Sequence, residues 1–460
     1  MKTELDHFQQ IYFIGIGGIG MSALARYFKT QGKEVAGYDK VSSPLTQALE
    51  QEGCLVHYED LGAALPKAFT NPAKTLVIYT PAIKQLDELR YFQSGSFVIK
   101  KRAEVLGMLT RQREGLCVAG THGKTTTSSL LAHLLDQSDW KCDAFLGGIA
   151  SNFNSNLVQD PQARYTVIEA DEFDRSFLHL SPFSAIITAA DPDHLDIYGT
   201  PEQFREGFRQ FAMKIDPSGF CIQHEGLDLQ TLATVKTYAI DSATADYSVG
   251  NFRWEQGRLL VDMRLEGMNW NEIALGLPGT HNAENALACV ALLHQLGMDE
   301  ASLRAGLESF KGVKRRFERI FCSERLTYID DYAHHPQEID ALIDSVRILY
   351  PGQQLIGIFQ PHLYTRTRDF AAGFAAALSR LDQLLLMPIY PAREEAILGV
   401  DSEWILAMVN CPKKCIAKPS EVLQAVAELN AGVLLTIGAG DIDRLVKPIE
   451  ELVKINQQGG

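Results

Sequence analysis

Cationic residues are scarce in this chain of 460 residues: 43 Lys and Arg stand against 57 Asp and Glu, leaving a formal net charge of -14. A protein that grips a nucleic-acid backbone presents a basic face, so this balance excludes nucleic acid as the expected partner. Cysteines at metal or redox spacing are missing as well. The eight cysteines, at 54, 117, 142, 221, 289, 322, 411 and 415, form no Cys-x-x-Cys pair, which reads as reduced thiols. Cys411 and Cys415 of CPKKC have no second pair nearby to complete a zinc site of about four ligands. No stretch approaches the roughly 18 apolar residues that span a bilayer. The opening MKTELDHFQQ lacks the basic flank and apolar run of a secretory signal. A cytoplasmic location without a membrane partner is the expectation, and neither repeats nor low-complexity tracts interrupt the chain.

What is present is ordinary globular material, 46% hydrophobic and 22% charged. The length predicts about three domains at roughly 150 residues each. Short apolar runs alternate with amphipathic helical patterns almost throughout, the mark of strand-helix-strand units and parallel sheets. A first block runs from IYFIGIG (11–17) through VAGYD and TLVIYT to a helix beginning near Lys101. A second opens with LCVAG (116–120), continues through YTVIEAD and SAIITAAD, and ends in the helices HNAENALACVALLHQLG and ASLRAGLESF. Period-2 patches over 235–275, such as RLLVDMRLEG, predict an antiparallel β insertion in it. A third follows GVKRRFE, with strands at LTYID, LIGIF, QLLLM and VLLTI. The expected division is 1–106, 107–312 and 313–460.

At the end of the first strand, Gly15, Gly17, Gly18 and Gly20 make GIGGIG before a helical run, where glycines let backbone approach a pyrophosphate at a helix N-terminus. Asp39 ends the second strand 19 residues beyond Gly20, where a carboxylate meets a ribose hydroxyl. NAD and a UDP-sugar share that pyrophosphate and ribose, and the fingerprint does not separate them. The same glycines could also serve only a tight strand-helix connection.

Gly120, Thr121, His122, Gly123, Lys124, Thr125 and Thr126 form GTHGKTT, again after a strand and before a helix. Such a loop cradles phosphates with backbone N–H groups, reaches the β/γ oxygens with its lysine and ligates magnesium with a hydroxyl. Its spacing departs from the usual phosphate loop, because Val118 stands five residues before Gly123. Two further strands end in Glu169-Ala170-Asp171-Glu172 and lead into Asp191-Pro192-Asp193-His194. One acidic strand end is usually a solvated turn, whereas two of them after a phosphate loop point to a metal. In the third block, DDYAHHP (330–336) and FQPHLYTRTR (359–368) cluster His, Tyr and Arg at strand ends.

Read together, GIGGIGMS, GTHGKTTT, EADEFDRSFLHL, DPDHLDIYGT, HNAENALA, GVKRRFE, DDYAHHPQEI and FQPHLYTRTRDF resemble the Mur ligases of peptidoglycan synthesis, in order and over nearly the whole chain. The resemblance implies an α/β fold in three domains. These are a Rossmann-like UDP-substrate domain, a central P-loop ATPase domain with a mostly parallel sheet and a small antiparallel insertion, and a C-terminal Rossmann-like domain that closes over the site. It implies Mg2+ as cofactor, with ATP, UDP-N-acetylmuramate and L-alanine as substrates, L-alanine joining the lactyl carboxylate through an acyl phosphate. A homo-oligomer is compatible with it.

Carried onto matching positions, Gly120 to Thr126 and Lys124 face the ATP phosphates, while Thr125, Glu169 and His194 hold magnesium. His281, Asn282, Asn285, Arg316 and Asp331 bind the nucleotide. Gly15, Gly17, Gly18, Gly20, Asp39, Thr80 and Arg102 take the UDP-substrate. Tyr332, His334 and Arg366 meet the amino acid and acyl intermediate. The chain departs from its relatives at Leu363, where arginine is common, at Ala189, often asparagine, and at Phe208, where some branches carry a carbamylated lysine. A branch that attaches a whole tripeptide to the same sugar nucleotide is the alternative within the family. Outside it, a nicotinamide dehydrogenase leaves GTHGKTTT without a purpose, and an ATP-dependent switch protein leaves GIGGIG and DDYAHHP without one.

Overall fold

The computed structural model describes residues 4–81, 83, 85–192, 195–255, 258–392 and 394–458. Apolar runs without alternation become parallel strands covered on both faces. β1 (Gln10–Ile14), β2 (Glu34–Tyr38), β3 (Leu55–His57), β4 (Thr75–Tyr79) and β5 (Val98–Lys101) form a parallel sheet in the order β3-β2-β1-β4-β5. Ile11, Tyr12, Phe13 and Ile14 of β1 are all fully buried, two on each face. The strand order reverses between β1 and β4, which opens a crevice at their carboxyl ends.

The second sheet takes in β6 (Glu114–Ala119), β7 (Cys142–Ala150), β8 (Ser155–Val158), β9 (Tyr165–Ala170), β10 (Ser184–Ile187), β11 (Phe220–His224), β12 (Thr234–Ile240), β13 (Tyr247–Glu255), β14 (Arg258–Leu265) and β15 (Met268–Leu275). Its order is β15-β14-β13-β12-β11-β10-β6-β9-β7-β8. The strands from β7 through β12 that flank β6 run parallel, and β8 returns antiparallel at the edge. β14 and β15 are joined by Glu266 and Gly267 alone, a connection that permits only an antiparallel return. Of the antiparallel insertion expected over 235–275, β14 and β15 therefore supply the antiparallel part as a continuation of the central sheet, whereas β12 and β13 pair parallel.

The first two sheets belong to one compact unit, Met1–Phe252 with Leu260–Gly276 and Glu284–Lys311. A single apolar cluster joins Phe13, Leu24 and Phe28 to Ile168, Phe177 and Phe208. The helix Ile19–Thr30, which follows the glycine turn, is fastened to β8 by Asn156. That fully buried side chain donates to the Ile19 carbonyl (2.6 Å) and to Ser22 Oγ (2.9 Å). Residue 106 lies inside the helix Arg102–Thr110, with Val105, Leu106 and Leu109 in the same cluster.

The second unit is Arg253–Leu259, Leu277–Ala283 and Gly312–Gly460. Its sheet contains β16 (Glu318–Cys322), β17 (Leu326–Asp331), β18 (Leu355–Phe359), β19 (Gln383–Leu386), β20 (Lys413–Ile416) and β21 (Gly432–Ile437), in the order β16-β17-β21-β18-β19-β20. Only β16 runs antiparallel to its neighbour. β16 and β20 went unread in the sequence because both are short, polar edge strands, ERIFC and KKCI, with little apolar patterning.

Candidate active site

The first glycine turn is built by close approach. Gly15 has φ 89°, and a Cβ there would sit 2.8 Å from the Thr80 methyl, so Thr80 at the end of β4 packs directly on the turn. A Cβ on Gly17 would meet Asp39 Oδ2 at 2.8 Å, while one on Gly20 would collide with the Arg102 guanidinium. Gly18 differs: it caps the helix Ile19–Thr30 with φ -64°, and nothing lies within 3.5 Å of its added Cβ. Thr80, Asp39 and Arg102 thus surround the loop that the sequence marked. Asp39 acts here through the backbone, its Oδ2 accepting the Gly17 N–H at 2.8 Å, which shapes the turn.

The second turn leaves β6 at Gly120 (φ 142°) and enters the helix Lys124–Asp136 through Gly123 (φ 78°) as N-cap. Both angles are strained for any side chain. Space is closed too, since a Cβ on Gly120 would run into Thr188 Oγ1 and one on Gly123 would lie 2.7 Å from Asn285 Oδ1. The segment after β10 braces the loop: Thr121 N–H donates to the Ala189 carbonyl at 3.2 Å, Thr121 Oγ1 to the Asp191 carbonyl at 2.9 Å, and Thr188 Oγ1 to the His122 carbonyl. Thr125 and Thr126 sit buried in the first helical turn, which contains no acidic residue. A helix N-terminus so arranged is ready for an anion.

Lys124 Nζ donates to the Gly120 carbonyl (2.5 Å) and to Glu172 Oε1 (2.9 Å), and Glu172 is 2% exposed. Burial pushes the Glu172 carboxyl up to about 7, against the pull of Lys124. For Lys124 burial acts downward, but Glu172, Asp171 and Glu169 together prevail and its ammonium is held above the ordinary lysine range. Glu169, at the end of β9, lies over Gly147 of β7, and its Oε2 is buried without a hydrogen-bond partner among the described residues. His194 lies outside the described residues. Among the described residues no three His, Cys, Asp or Glu side chains cluster closely enough to hold a metal by themselves.

In the second unit, the strand end at β17 is organised by its two carboxylates. Asp330 accepts from Thr436 Oγ1 (2.6 Å) and from Arg315 Nε (3.2 Å). Asp331 accepts the Phe317 and Ala333 N–H groups, each at 2.7 Å, and burial raises its carboxyl to about 6 against the opposing Arg316. Both Asp331 oxygens thus already hold backbone, which the sequence reading as a ribose ligand did not foresee. Tyr332 lies against the guanidinium groups of Arg315 (5.1 Å) and Arg316 (5.0 Å). Arg315 is tied down by Asp330 and by the Gly438 carbonyl, whereas Arg316 has a loose 3.9 Å pairing with Glu338.

His334 is lowered to about 4, first by burial and further by Arg366 and Arg316, with Glu338 opposing. Its Nδ1 faces two acceptors, the Tyr332 carbonyl (3.0 Å) and Glu338 Oε2 (3.3 Å), so the proton belongs on Nδ1 and the lone pair on Nε2. His362 is likewise lowered to about 4 by burial, His334 and Arg366. The guanidinium of Arg366, half-buried in the helix Tyr364–Asp369, makes no hydrogen bond or ion pair with the described residues. Leu363, the N-cap of that helix, is held at φ 71° while its N–H donates to the Tyr390 carbonyl at 2.9 Å. His281 faces Ser345 Oγ at 3.3 Å, and Asn282 donates to the Pro278 carbonyl at 2.6 Å.

Three family models match the chain in succession: the Mur ligase family catalytic domain over residues 10–114, the Mur ligase middle domain over 118–293 and the Mur ligase glutamate ligase domain over 315–440. The chain belongs to the Mur ligase family. Among its Mur ligase relatives, the UDP-N-acetylmuramate–L-alanine ligase of Parabacteroides distasonis is 49% identical over 98% of both chains. That of Porphyromonas gingivalis strain W83 is 48% identical over 97% of this chain and 99% of its own. The crystal structure of the UDP-N-acetylmuramate-alanine ligase from Thermotoga maritima superposes with a TM-score of 0.83, at 27% identity, covering 98% of this chain and all of that one. A murein peptide ligase from Psychrobacter arcticus shares the fold with a TM-score of 0.70 at 22% identity, over 96% and 99% of the two chains.

Phe208 is fully buried among Phe177 and Phe204, with ring centroids 5.3 Å away in each case. No charged side chain could be seated there without a heavy desolvation cost. Sequence reasoning missed the Lys124–Glu172 pair, the bracing Thr188 and the neutral His362. EADE and FQPH contain two of them, but nothing in a linear motif says which acid turns inward.

Proposed function

We propose that this chain joins L-alanine to the lactyl carboxylate of UDP-N-acetylmuramate at the expense of ATP, releasing ADP and phosphate in peptidoglycan precursor synthesis in the cytoplasm. The observation that carries the reading is the phosphate loop Gly120–Lys124 standing in one compact unit with the glycine turn at Gly15–Gly20. Two anion-binding helix N-termini on the same body suit a phosphoryl donor and a nucleotide-linked acceptor. The relatives at 43–49% identity are named for this reaction. In this reading 1–106 takes the UDP-sugar, 107–312 ATP and 313–460 the amino acid.

A carboxylate resists attack by an amine because oxide is a poor leaving group. A lactyl carboxylate oxygen therefore attacks the γ-phosphorus of ATP, the bond to the bridging oxygen breaks, and ADP leaves an acyl phosphate. The L-alanine nitrogen then adds to the acyl carbon, and the carbon–oxygen bond to phosphate breaks as the amine gives up its proton. The protein's part is positioning two anions and neutralising charge. Lys124 and the first-turn N–H groups do this for the phosphates. Thr125 and the unsatisfied oxygen of Glu169 are hard oxygen donors that fit magnesium, which keeps water and phosphate for most of its shell. Bound there, Mg2+ would neutralise phosphate charge. Arg366, without a counterion among the described residues, is the natural grip for the L-alanine carboxylate. The lone pair on His334 Nε2 accepts a hydrogen bond from the amine, while burial first and the neighbouring cations second keep that imidazole from storing the proton, which passes to the departing phosphate.

The test is phosphate release from ATP that requires UDP-N-acetylmuramate and L-alanine together. Turnover with L-alanine no faster than with the stem tripeptide in its place would transfer the chain to the peptide-attaching branch, and indifference to the UDP-sugar would defeat the reading.

A further inference from the structure

The turn after β9 joins both nucleotide loops. Asp171 accepts from Arg102 Nη2 at 3.1 Å, Glu172 from Lys124 at 2.9 Å, and Asp174 from Lys101 at 2.9 Å. Arg102 is the side chain lying over Gly20, and Lys124 opens the phosphate-loop helix. Three carboxylates within four residues each take a different cation, on a turn in which Asp174 (φ 52°) and Arg175 (φ 55°) both adopt the left-handed conformation. Two adjacent non-glycine residues in that region are strained, and such strain persists only where surroundings enforce it. The enforcing contacts are the Tyr198 hydroxyl on the Glu172 carbonyl (2.7 Å), the Arg175 N–H on the same carbonyl (3.0 Å), and the Arg175 guanidinium over the Tyr198 ring (5.1 Å).

Resting on the assignment of ATP to this loop, we infer that Glu172 is a resident counterion for Lys124, occupying in the empty enzyme the electrostatic place of the nucleotide's phosphates and setting the affinity for nucleotide by having to be displaced. The Lys124 side chain is 14% exposed and that of Glu172 3%, so water screens the pair little. Incoming phosphates reach an ammonium already paired with a buried carboxylate, and repulsion from that carboxylate opposes them at close range. Glu172 is a positioning residue in this scheme, acting through Lys124 without touching substrate. Removing its charge should tighten nucleotide binding, the opposite of what loss of a binding residue does.

The experiment is calorimetric titration of the full chain with Mg-ADP, on wild type, Glu172→Gln, Lys124→Ala and the double variant. Wild type that binds Mg-ADP, with binding weakened but still measurable in Lys124→Ala, secures the ATP assignment independently; absence of wild-type binding overturns assignment and inference together. With the assignment secured, Glu172→Gln should bind Mg-ADP at least about fivefold more tightly, an effect within the range of coupled neighbouring groups. The gain should vanish in the Lys124→Ala background, which a merely structural role for Glu172 would not produce. If the amide variant folds poorly, Glu172→Asp, which retains the charge on a shorter reach, should itself bind Mg-ADP more tightly than wild type. Unchanged or weaker Mg-ADP binding in a folded Glu172 variant overturns the inference.

Discussion

Replacing Arg366 with alanine should separate binding from folding. The guanidinium has no hydrogen-bond or ion-pair partner among the described residues, so its removal orphans no protein group. Stability should stay within about 0.5 kcal/mol of wild type, as for substitutions that break no buried network. Its absence is felt instead by the amino acid. Hydrogen bonds to charged groups contribute about 1.5–3 kcal/mol, and each 1.4 kcal/mol is about tenfold. The Michaelis constant for L-alanine should therefore rise roughly 10- to 150-fold, with those for ATP and the UDP-sugar little moved. A second signature comes from the histidines: Arg366 is among the groups lowering both His334 and His362, so both imidazole pKa values should climb in the variant, though not to the ordinary value, because burial is the larger cause. Steady-state kinetics with each substrate varied separately, together with NMR titration of the imidazoles, provides both readings. An unaltered L-alanine dependence would refute the assignment and pass the carboxylate grip to His334 or Arg368.

Lys124→Ala should abolish turnover and also destabilise the fold by about 1–3 kcal/mol, because the buried Glu172 loses its hydrogen-bond partner and takes up a proton; Lys124→Ala with Glu172→Gln should not recover the activity, and wild-type melting of the single variant would contradict this. Gly18→Val meets no protein atom within 3.5 Å at its Cβ and has an ordinary φ, so it should fold normally yet bind UDP-N-acetylmuramate at least about tenfold more weakly, as expected where backbone and pyrophosphate nearly touch; calorimetry showing wild-type affinity would dismiss the glycine turn as a pyrophosphate site. His362 has a folded pKa near 4 against 6.5 unfolded, so the unfolded chain takes up more protons as pH falls from 6.5 to 4. Between pH 7 and 4 wild type should lose up to about 3 kcal/mol more stability than His362→Gln, and parallel stability profiles of the two proteins would count against a neutral buried imidazole.

Features that depend on backbone were legible in the sequence. GIGGIG and GTHGKTTT demand glycine where a turn has positive φ or a neighbour sits too close, and Gly15, Gly120 and Gly123 meet that demand. Side-chain allegiance was less legible. Asp39 and Asp331 have the residue type a ribose calls for, but each accepts backbone N–H groups, and a carboxylate looks identical in sequence whichever acceptor role it fills. Glu172 stood in plain view within EADE, yet it turns inward on a bend that contains the left-handed pair Asp174 and Arg175, residue types that carry no such signal. The period-2 pattern of 235–275 correctly predicted strands but could not say which sheet they would extend, since alternation reports only that one face is covered.

The fastening of Ile19–Thr30 to β8 through Asn156 bears on how this enzyme can be taken apart. With Asn156 donating to the Ile19 carbonyl and Ser22, and with Leu106 and Leu109 in the cluster that also holds Ile168, the stretch around residue 106 is interior wall and not a hinge. A fragment ending there would leave Phe28 and Val105 without their cover, and would be expected to aggregate. Protein-splitting schemes, reporter insertions and limited proteolysis should fail along 102–110, however much the succession of sequence motifs invites a cut between them.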